Sequence, residues 1–277
     1  MVDISELEKI AWEIRKDVVQ MFAHSGTGHF GGSLSAAEIV TALYFHVLKI
    51  DPQNPRWPER DRFVISKGHC CPPVYAALAR LGFFPRDWFD TFEDTGAPLT
   101  MHPDMHKVPG FDASTGALGH GLSLGLGMAV AGKQRQADYK VYVLLGDGEL
   151  HEGSVWEAIM AAPKLGADNL IAIVDRNGLC LDGPTEEIIP LEPLAERWTT
   201  FGWEVQETCA HSIPQLLEAF HWAQRADGQP RVIICHGTKG KGVSFMENNP
   251  LWHSSRPTAQ EIEQALAEIE AALARYN

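Results

Sequence analysis

Three apolar runs rich in β-branched residues restrict what this chain can fold into: residues 141–145 (VYVLL), 170–175 (LIAIVD) and 232–235 (VIIC). Each has strand length, and helical patterns lie between them. That alternation indicates parallel βαβ units and predicts an α/β fold, a parallel sheet flanked by helices. RFVIS at 62–66 adds a short strand before a Gly-His turn, and residues 203–205 a weaker one. Helices are predicted over 4–23, ended by the Ser25-Gly26 break, and over 35–47, 73–81, 118–136 and 154–164. A capping-box pair, Thr258 and Glu261, opens a final one. Residues 84–111, dense in Pro, Asp and aromatics, read as a long ordered loop. With no repeat, low-complexity linker or shift in composition, residues 1–277 are expected to form one domain.

Composition narrows the partners. A net charge of −13 repels nucleic acid and anionic membrane surfaces, although a local pocket can oppose the global sign and take a small anion. The N-terminal segment alternates charged and apolar residues at helical spacing, unlike a signal peptide, and no apolar run approaches membrane-spanning length. Five cysteines, an odd number without CxxC spacing, argue against a disulfide framework or zinc site and place the chain in a reducing cytoplasm.

The run VYVLL leads directly into Gly146-Asp147-Gly148. Parallel sheets bind ligands beyond the carboxyl ends of their strands. Glycines there let backbone approach a ligand closely, and the helix that follows offers free N–H groups to an anion. Asp147 supplies a hard oxygen suited to Mg²⁺. The next strand ends at Arg176-Asn177, and a right-handed crossover brings Asn177 beside Asp147. One charged and one neutral oxygen, completed by waters and substrate phosphates, is the usual protein share of a magnesium site. Alone, Gly-Asp-Gly is commonly a simple turn; the strand before it, the helix after it and the second tip ending in Asn raise it above that. Two other motifs fail their context. Residues 26–31 fit GxGxxG, but a helix precedes them rather than a strand. His102 and His106 have i, i+4 spacing, but Pro103 opposes the helix a metal pair needs.

GDG followed about thirty residues later by Asn resembles the thiamine diphosphate motif. LLGDGELHEGSVWEA and NLIAIVDRNGLCLDG look more specifically like transketolase, and the likeness runs from SGTGHFGGSLSAAEI to KGKGVSFMENNPLWH in the order of its N-terminal domain. The resemblance implies a thiamine diphosphate-binding (PP) fold in which Asp147, Asn177 and the Leu179 carbonyl bind Mg²⁺, with Ca²⁺ as a substitute. It implies that Gly148 approaches the diphosphate, that Gly116 and Leu118 pack near the cofactor ring, and that Glu152 links active sites across an interface. His69 and His253 are expected beside the diphosphate and reacting carbons, contacting the cofactor as well, and His29 and His102 beside substrate hydroxyls. Any one histidine is more often structural, but four at matching motif positions reverse that judgement; imidazoles suit proton movement near neutral pH. Lys239 and Lys241 are expected to flank the site, with solvated surface lysines an equal alternative.

The sequence departs from the family where His120 replaces a frequent Gln and Phe30 a frequent Pro. The family's pyrimidine-contacting glutamate, its aromatic pocket and most phosphate contacts lie in a second domain that is not recognisable here. The resemblance therefore implies one half of a split transketolase, completed by a pyrimidine-binding C-terminal subunit in an α2β2 assembly. Its expected reaction transfers a two-carbon ketol unit from a ketose, usually phosphorylated, to an aldose, as a transferase of aldehyde and ketone groups in pentose phosphate and carbohydrate metabolism. The alternatives are a relative acting on a branched-chain or modified sugar phosphate, a 1-deoxyxylulose-phosphate synthase (SKGHC fits transketolase better), a non-catalytic thiamine diphosphate-binding homologue, and a Mg²⁺-dependent phosphohydrolase. The last needs a nucleophile or paired carboxylates beside Asp147, for which Glu149 is the only near candidate.

Overall fold

The computed structural model describes residues 3–225 and 227–276, so residues 1, 2, 226 and 277 of the expected domain lie outside the described residues. In chain order it contains α1 (Ile4–Ser25), α2 (Phe30–Ser35), α3 (Ala37–Ala42), β1 (Arg62–Ile65), α4 (Pro72–Leu81), α5 (Gly121–Gln134), β2 (Val141–Gly146), α6 (Gly153–Lys164) and β3 (Leu170–Arg176). There follow α7 (Thr185–Ile188), α8 (Leu194–Thr200), β4 (Glu204–Cys209), α9 (Ile213–Ala223), β5 (Arg231–His236) and α10 (Ala259–Leu273). The strands form one sheet in the order β1-β2-β3-β5-β4, with every pairing parallel.

Side chains alternate across the sheet. Tyr142, Leu144, Ile171, Ile173 and Ile233 enter one core, which includes residues of α1, α3, α4, α9 and α10. Val141, Val143, Leu145, Leu170, Ala172, Val174 and Val232 enter the other, with residues of α5, α6 and α8. Both faces are covered, which is why these strands read as continuous apolar runs.

Several boundaries differ from the sequence reading. The expected helix over 35–47 divides into α2, α3 and a π-turn at Leu43–Val47. The helix expected over 118–136 begins only at Gly121, because Gly119 is left-handed (φ 86°), and Gln136 (φ 56°) ends it the same way. β4 runs to Cys209, beyond the weak signal; it is an edge strand on which Glu204 and Gln206 are half-buried, Glu207 exposed and Thr208 buried. The segment 84–111 holds a short 3₁₀ turn at Arg86–Thr91 and is anchored by buried Phe89, Phe92, Leu99 and Phe111. At α10 both capping-box bonds form: the Glu261 N–H donates to Thr258 Oγ1 at 3.2 Å and the Thr258 N–H to Glu261 Oε2 at 2.7 Å. Among the described residues no helix is long and apolar enough to cross a membrane.

Candidate active site

Gly146 at the tip of β2 pairs with Asp175 near the tip of β3, so the chain leaves the two strands side by side. Asp147 ties the exits together. Its Oδ1 accepts the Gly148 N–H at 2.8 Å, and its Oδ2 accepts the Gly178 N–H at 2.6 Å. Asn177 is oriented at both ends of its amide: Nδ2 donates to Asp175 Oδ2 at 3.1 Å and Oδ1 accepts the Leu179 N–H at 3.2 Å. The Leu179 carbonyl accepts from Lys239 Nζ at 2.7 Å.

A cavity of about 390 Å³ opens at these tips, and Asp147, Asn177 and Leu179 line it. The other residues singled out in the sequence line it too: Gly116, Leu118, Gly148, Glu152, His29, His69, His102 and His253. Glu152 sits at the N-cap of α6 and is exposed. His120 is exposed and outside the lining, while Phe30 is buried behind it, 4.7 Å from Phe22 and 5.5 Å from Trp252 between ring centroids.

Three imidazoles form a tight group. Ring centroids lie 4.9 Å apart for His29 and His69, 5.3 Å for His69 and His253, and 5.8 Å for His29 and His253. Exposed His102 is 6.4 Å from His29. Burial, reinforced by neighbouring rings and lysines, lowers His29 to about 4, His69 to about 2 and His253 to about 3. All three are therefore neutral at neutral pH. Lys239 Nζ lies 2.9 Å from His253 Nδ1, and an ammonium only donates, so Nδ1 accepts and the ring proton sits on Nε2. Among the described residues His29 Nδ1 is buried without a partner.

Buried charges brace the rim. Asp175 is fully buried, and its Oδ2 accepts from Lys67 Nζ and Ser35 Oγ, each at 2.5 Å. Burial alone would raise the Asp175 carboxyl, but the Lys67 charge outweighs it and holds the group below its usual range. Asp147 is pushed up, first by burial and then by Asp175, against the pull of the Gly178 N–H and Arg176. Arg176 Nη1 lies 3.2 Å from Asp147 Oδ2, and Nη2 bonds Glu186 and Glu192 at 2.8 and 2.9 Å. Glu149, 2% exposed, accepts from Ser66 Oγ and from the Gly119 and Gly146 N–H groups at 2.9 and 3.2 Å. Its oxygens are committed to bracing the wall, which removes it as a free carboxylate for phosphate-ester hydrolysis. Lys67, Asp175, Ser35 and Arg176 were not singled out from the sequence, where only the strand-end positions of Asp175 and Arg176 hinted at them; Glu149 was named there only as a second carboxylate beside Asp147. Of the two flanking lysines, Lys239 is in the wall and 2% exposed, whereas Lys241 pairs with Glu247 at 3.1 Å outside the lining.

The wall suits a divalent cation carrying a diphosphate. Its donors are a carboxylate, an amide oxygen and a carbonyl, all hard oxygens. Lys239 uses one lone pair of the Leu179 carbonyl and leaves the other. Among the described residues no cluster of three or more His, Cys, Asp or Glu forms a metal site, in keeping with a donor set that has a single carboxylate. A Cβ on Gly148 would lie 2.7 Å from Cys180 Cβ, so only glycine leaves the backbone open there. The unpartnered His29 Nδ1 offers a bound group one more contact.

Residues 7–270 match the family described as "Transketolase, thiamine diphosphate binding domain". The chain is 44% identical over 268 residues to one of the subunits of the apulose-4-phosphate transketolase of Phocaeicola vulgatus, covering 97% of this chain and 95% of that protein. It is likewise 44% identical over 265 residues to the 6-deoxy-6-sulfo-D-fructose transketolase subunit SqwG of a Clostridium species, covering 96% of each. Human transketolase is 38% identical over 267 residues, 96% of this chain but 42% of the human protein. The transketolase structure from Campylobacter jejuni superposes with a TM-score of 0.90 at 28% identity, covering all of this chain and 46% of that one.

Proposed function

The chain belongs to the transketolase family, in its thiamine diphosphate-binding domain, and from that premise we propose that it is the diphosphate-binding subunit of a two-chain transketolase. The observation that carries this reading is the joining of the two strand tips through Asp147 Oδ2 and the Gly178 N–H at 2.6 Å, with Asn177 and Leu179 in the same wall. Asp147, Asn177 and the Leu179 carbonyl would hold Mg²⁺ or Ca²⁺, and Gly148 would admit the diphosphate against bare backbone. When bound, thiamine diphosphate supplies the electron sink that lets the bond beside a ketose carbonyl break and re-form on an aldose. The neutral imidazoles of His29, His69 and His253 can accept or donate one proton at the wall. His253 offers its Nε2–H, because Lys239 occupies Nδ1, and His29 Nδ1 is free for a substrate hydroxyl. Exposed His102 stands at the mouth for the sugar's far hydroxyls.

Relatives at 44% identity are named for apulose-4-phosphate and for 6-deoxy-6-sulfo-D-fructose, against 38% for human transketolase. That supports a modified ketose with an anionic terminus as donor, ahead of the common pentose phosphates. Both names specify one chain of a divided enzyme, which supports a pyrimidine-binding C-terminal partner, assembled as α2β2. The experiment is a donor and acceptor screen on the chain with and without that partner, in thiamine diphosphate and Mg²⁺. Ketol transfer is expected only from the pair. Robust transfer by this chain alone would refute the split-site reading.

A further inference from the structure

The segment after β5, Gly237-Thr238-Lys239-Gly240-Lys241-Gly242, is permissive backbone beside the cavity, yet it must hold a buried ammonium at a fixed point. Three glycines in six residues lose much conformational freedom on ordering, so something outside the segment has to fix it. Beside the backbone bonds from the Gly237 N–H to the Arg176 carbonyl at 3.0 Å and from the Asn248 N–H to the Lys239 carbonyl at 2.9 Å, two side chains from outside the cavity grip it, one on each side of Lys239. The Thr238 N–H donates to His211 Nε2 at 2.8 Å, and Arg15 Nε donates to the Lys241 carbonyl at 2.8 Å.

Both gripping side chains converge on one carboxylate. Glu38 Oε2 accepts from Arg15 Nη2 at 2.6 Å and contacts His211 Nδ1 at 3.1 Å. A backbone N–H only donates, so His211 Nε2 must carry a lone pair, and the ring's proton lies on Nδ1 facing Glu38. Burial would raise the Glu38 carboxyl, but the Arg15 charge and the bonds from both partners hold it down at about 2. The carboxylate thus selects the tautomer that the Thr238 N–H needs.

Packing leaves the segment no slack. A Cβ on Gly237 would lie 2.9 Å from Ala210 Cβ and 3.1 Å from His211 Nε2, and Gly242 (φ 99°) is pressed against Trp12 and Arg15. Gly240 adds a bond from its N–H to the Gly31 carbonyl at 2.9 Å. None of Arg15, Glu38 and His211 lines the cavity.

We propose that Glu38, with Arg15 and His211 as its two arms, is a positioning clamp that fixes residues 238–241 so that Lys239 meets both the Leu179 carbonyl and His253 Nδ1. The inference rests on reading the cavity as the thiamine diphosphate and metal site. His211 and Glu38 act through Lys239 and touch neither cofactor nor substrate.

The test compares His211→Phe, which keeps a ring without either bond, and His211→Gln, whose amide can accept from Thr238 and donate to Glu38. Each is made in the wild-type and Lys239→Met backgrounds of the full chain. The readouts are amide hydrogen exchange over 238–242 and the Kd for thiamine diphosphate in excess Mg²⁺. Loss of two hydrogen bonds, one to a charged group, predicts that His211→Phe weakens binding about 10-fold or more and speeds exchange in the segment, while His211→Gln stays within about 3-fold. In the Lys239→Met background the further loss from His211→Phe should shrink to about 2-fold or less. Should His211→Phe not fold, Glu38→Gln serves, with weakened binding and faster exchange over 238–242 expected. Unchanged binding and exchange in a folded clamp variant overturns the clamp, as does an equal loss in both backgrounds. A wild-type chain that binds no thiamine diphosphate with Mg²⁺ even when joined to its partner subunit instead overturns the reading of the cavity and the proposal with it.

Discussion

From Val141 to Leu145 and from Leu170 to Val174 every side chain is apolar and buried; one or two positions further on, Asp147, Asp175 and Arg176 are buried as well, and charged. The body of the sheet and its carboxyl-end rim are consecutive stretches of the same strands. In the body, stability follows from apolar area removed from water and from close packing, so volume matters more than identity. At the rim each charge is tolerable only because a particular partner meets it: Lys67 on Asp175, the Gly178 N–H and Arg176 on Asp147. Expensive groups kept where they add little to stability mark the place where the fold does its work.

The sharpest way to break this comparison is to unpair the rim. Lys67→Met leaves the Asp175 carboxylate buried with only neutral donors and should cost about 3–5 kcal/mol in chemical denaturation. Lys67→Met combined with Asp175→Asn should recover most of that stability but not thiamine diphosphate affinity, because Asn177 loses its charged acceptor. Recovery of both would make the pair a structural feature only.

The complementary change is in the body. Leu144→Ala removes a fully buried side chain and should cost about 2–5 kcal/mol while the folded protein keeps its affinity for thiamine diphosphate. Affinity falling in proportion to stability would show that body and rim are not separable.

The smallest effect, about 1.4 kcal/mol per pH unit, is the slope that a single histidine adds to stability against pH. His29, His69 and His253 stay neutral in the folded chain down to about 4, 2 and 3, whereas the unfolded chain protonates them near the ordinary histidine value of 6.5. Their contribution is full above about pH 6.5 and is lost as pH falls from there to about 4 for His29, 3 for His253 and 2 for His69, because the unfolded state binds more protons in that window. His69→Asn should reduce proton uptake on unfolding near pH 5 by about one, measured from the slope of stability against pH. An unchanged slope would mean that His69 titrates normally in the folded protein.

The two regions also differ in how far the sequence betrays them. The body announces itself through local pattern: β-branched runs at strand spacing gave β2, β3 and β5, while the polar edge strand β4 left only a weak trace. The cavity residues were legible through motif likeness, since GDG, SKGHC, MHPD and LWH each carry their position with them. Their braces were not. Lys67 meets Asp175 across 108 residues and His211 meets Glu38 across 173, and no local periodicity encodes such a meeting. Glu149 stood beside a recognised motif, but its part as a brace depends on the Gly119 and Gly146 N–H groups, which only the folded turn aims at it.

The proposed site stands or falls on the Asp147 and Asn177 tips holding a divalent cation that anchors a diphosphate. Calorimetric titration of the chain with thiamine diphosphate, with Mg²⁺ and with chelator, for wild type and Asp147→Asn, tests it most directly. Saturable one-site binding that requires Mg²⁺ and weakens by about 100-fold or more in Asp147→Asn is the predicted result. Equal binding in chelator, or by Asp147→Asn, would contradict it.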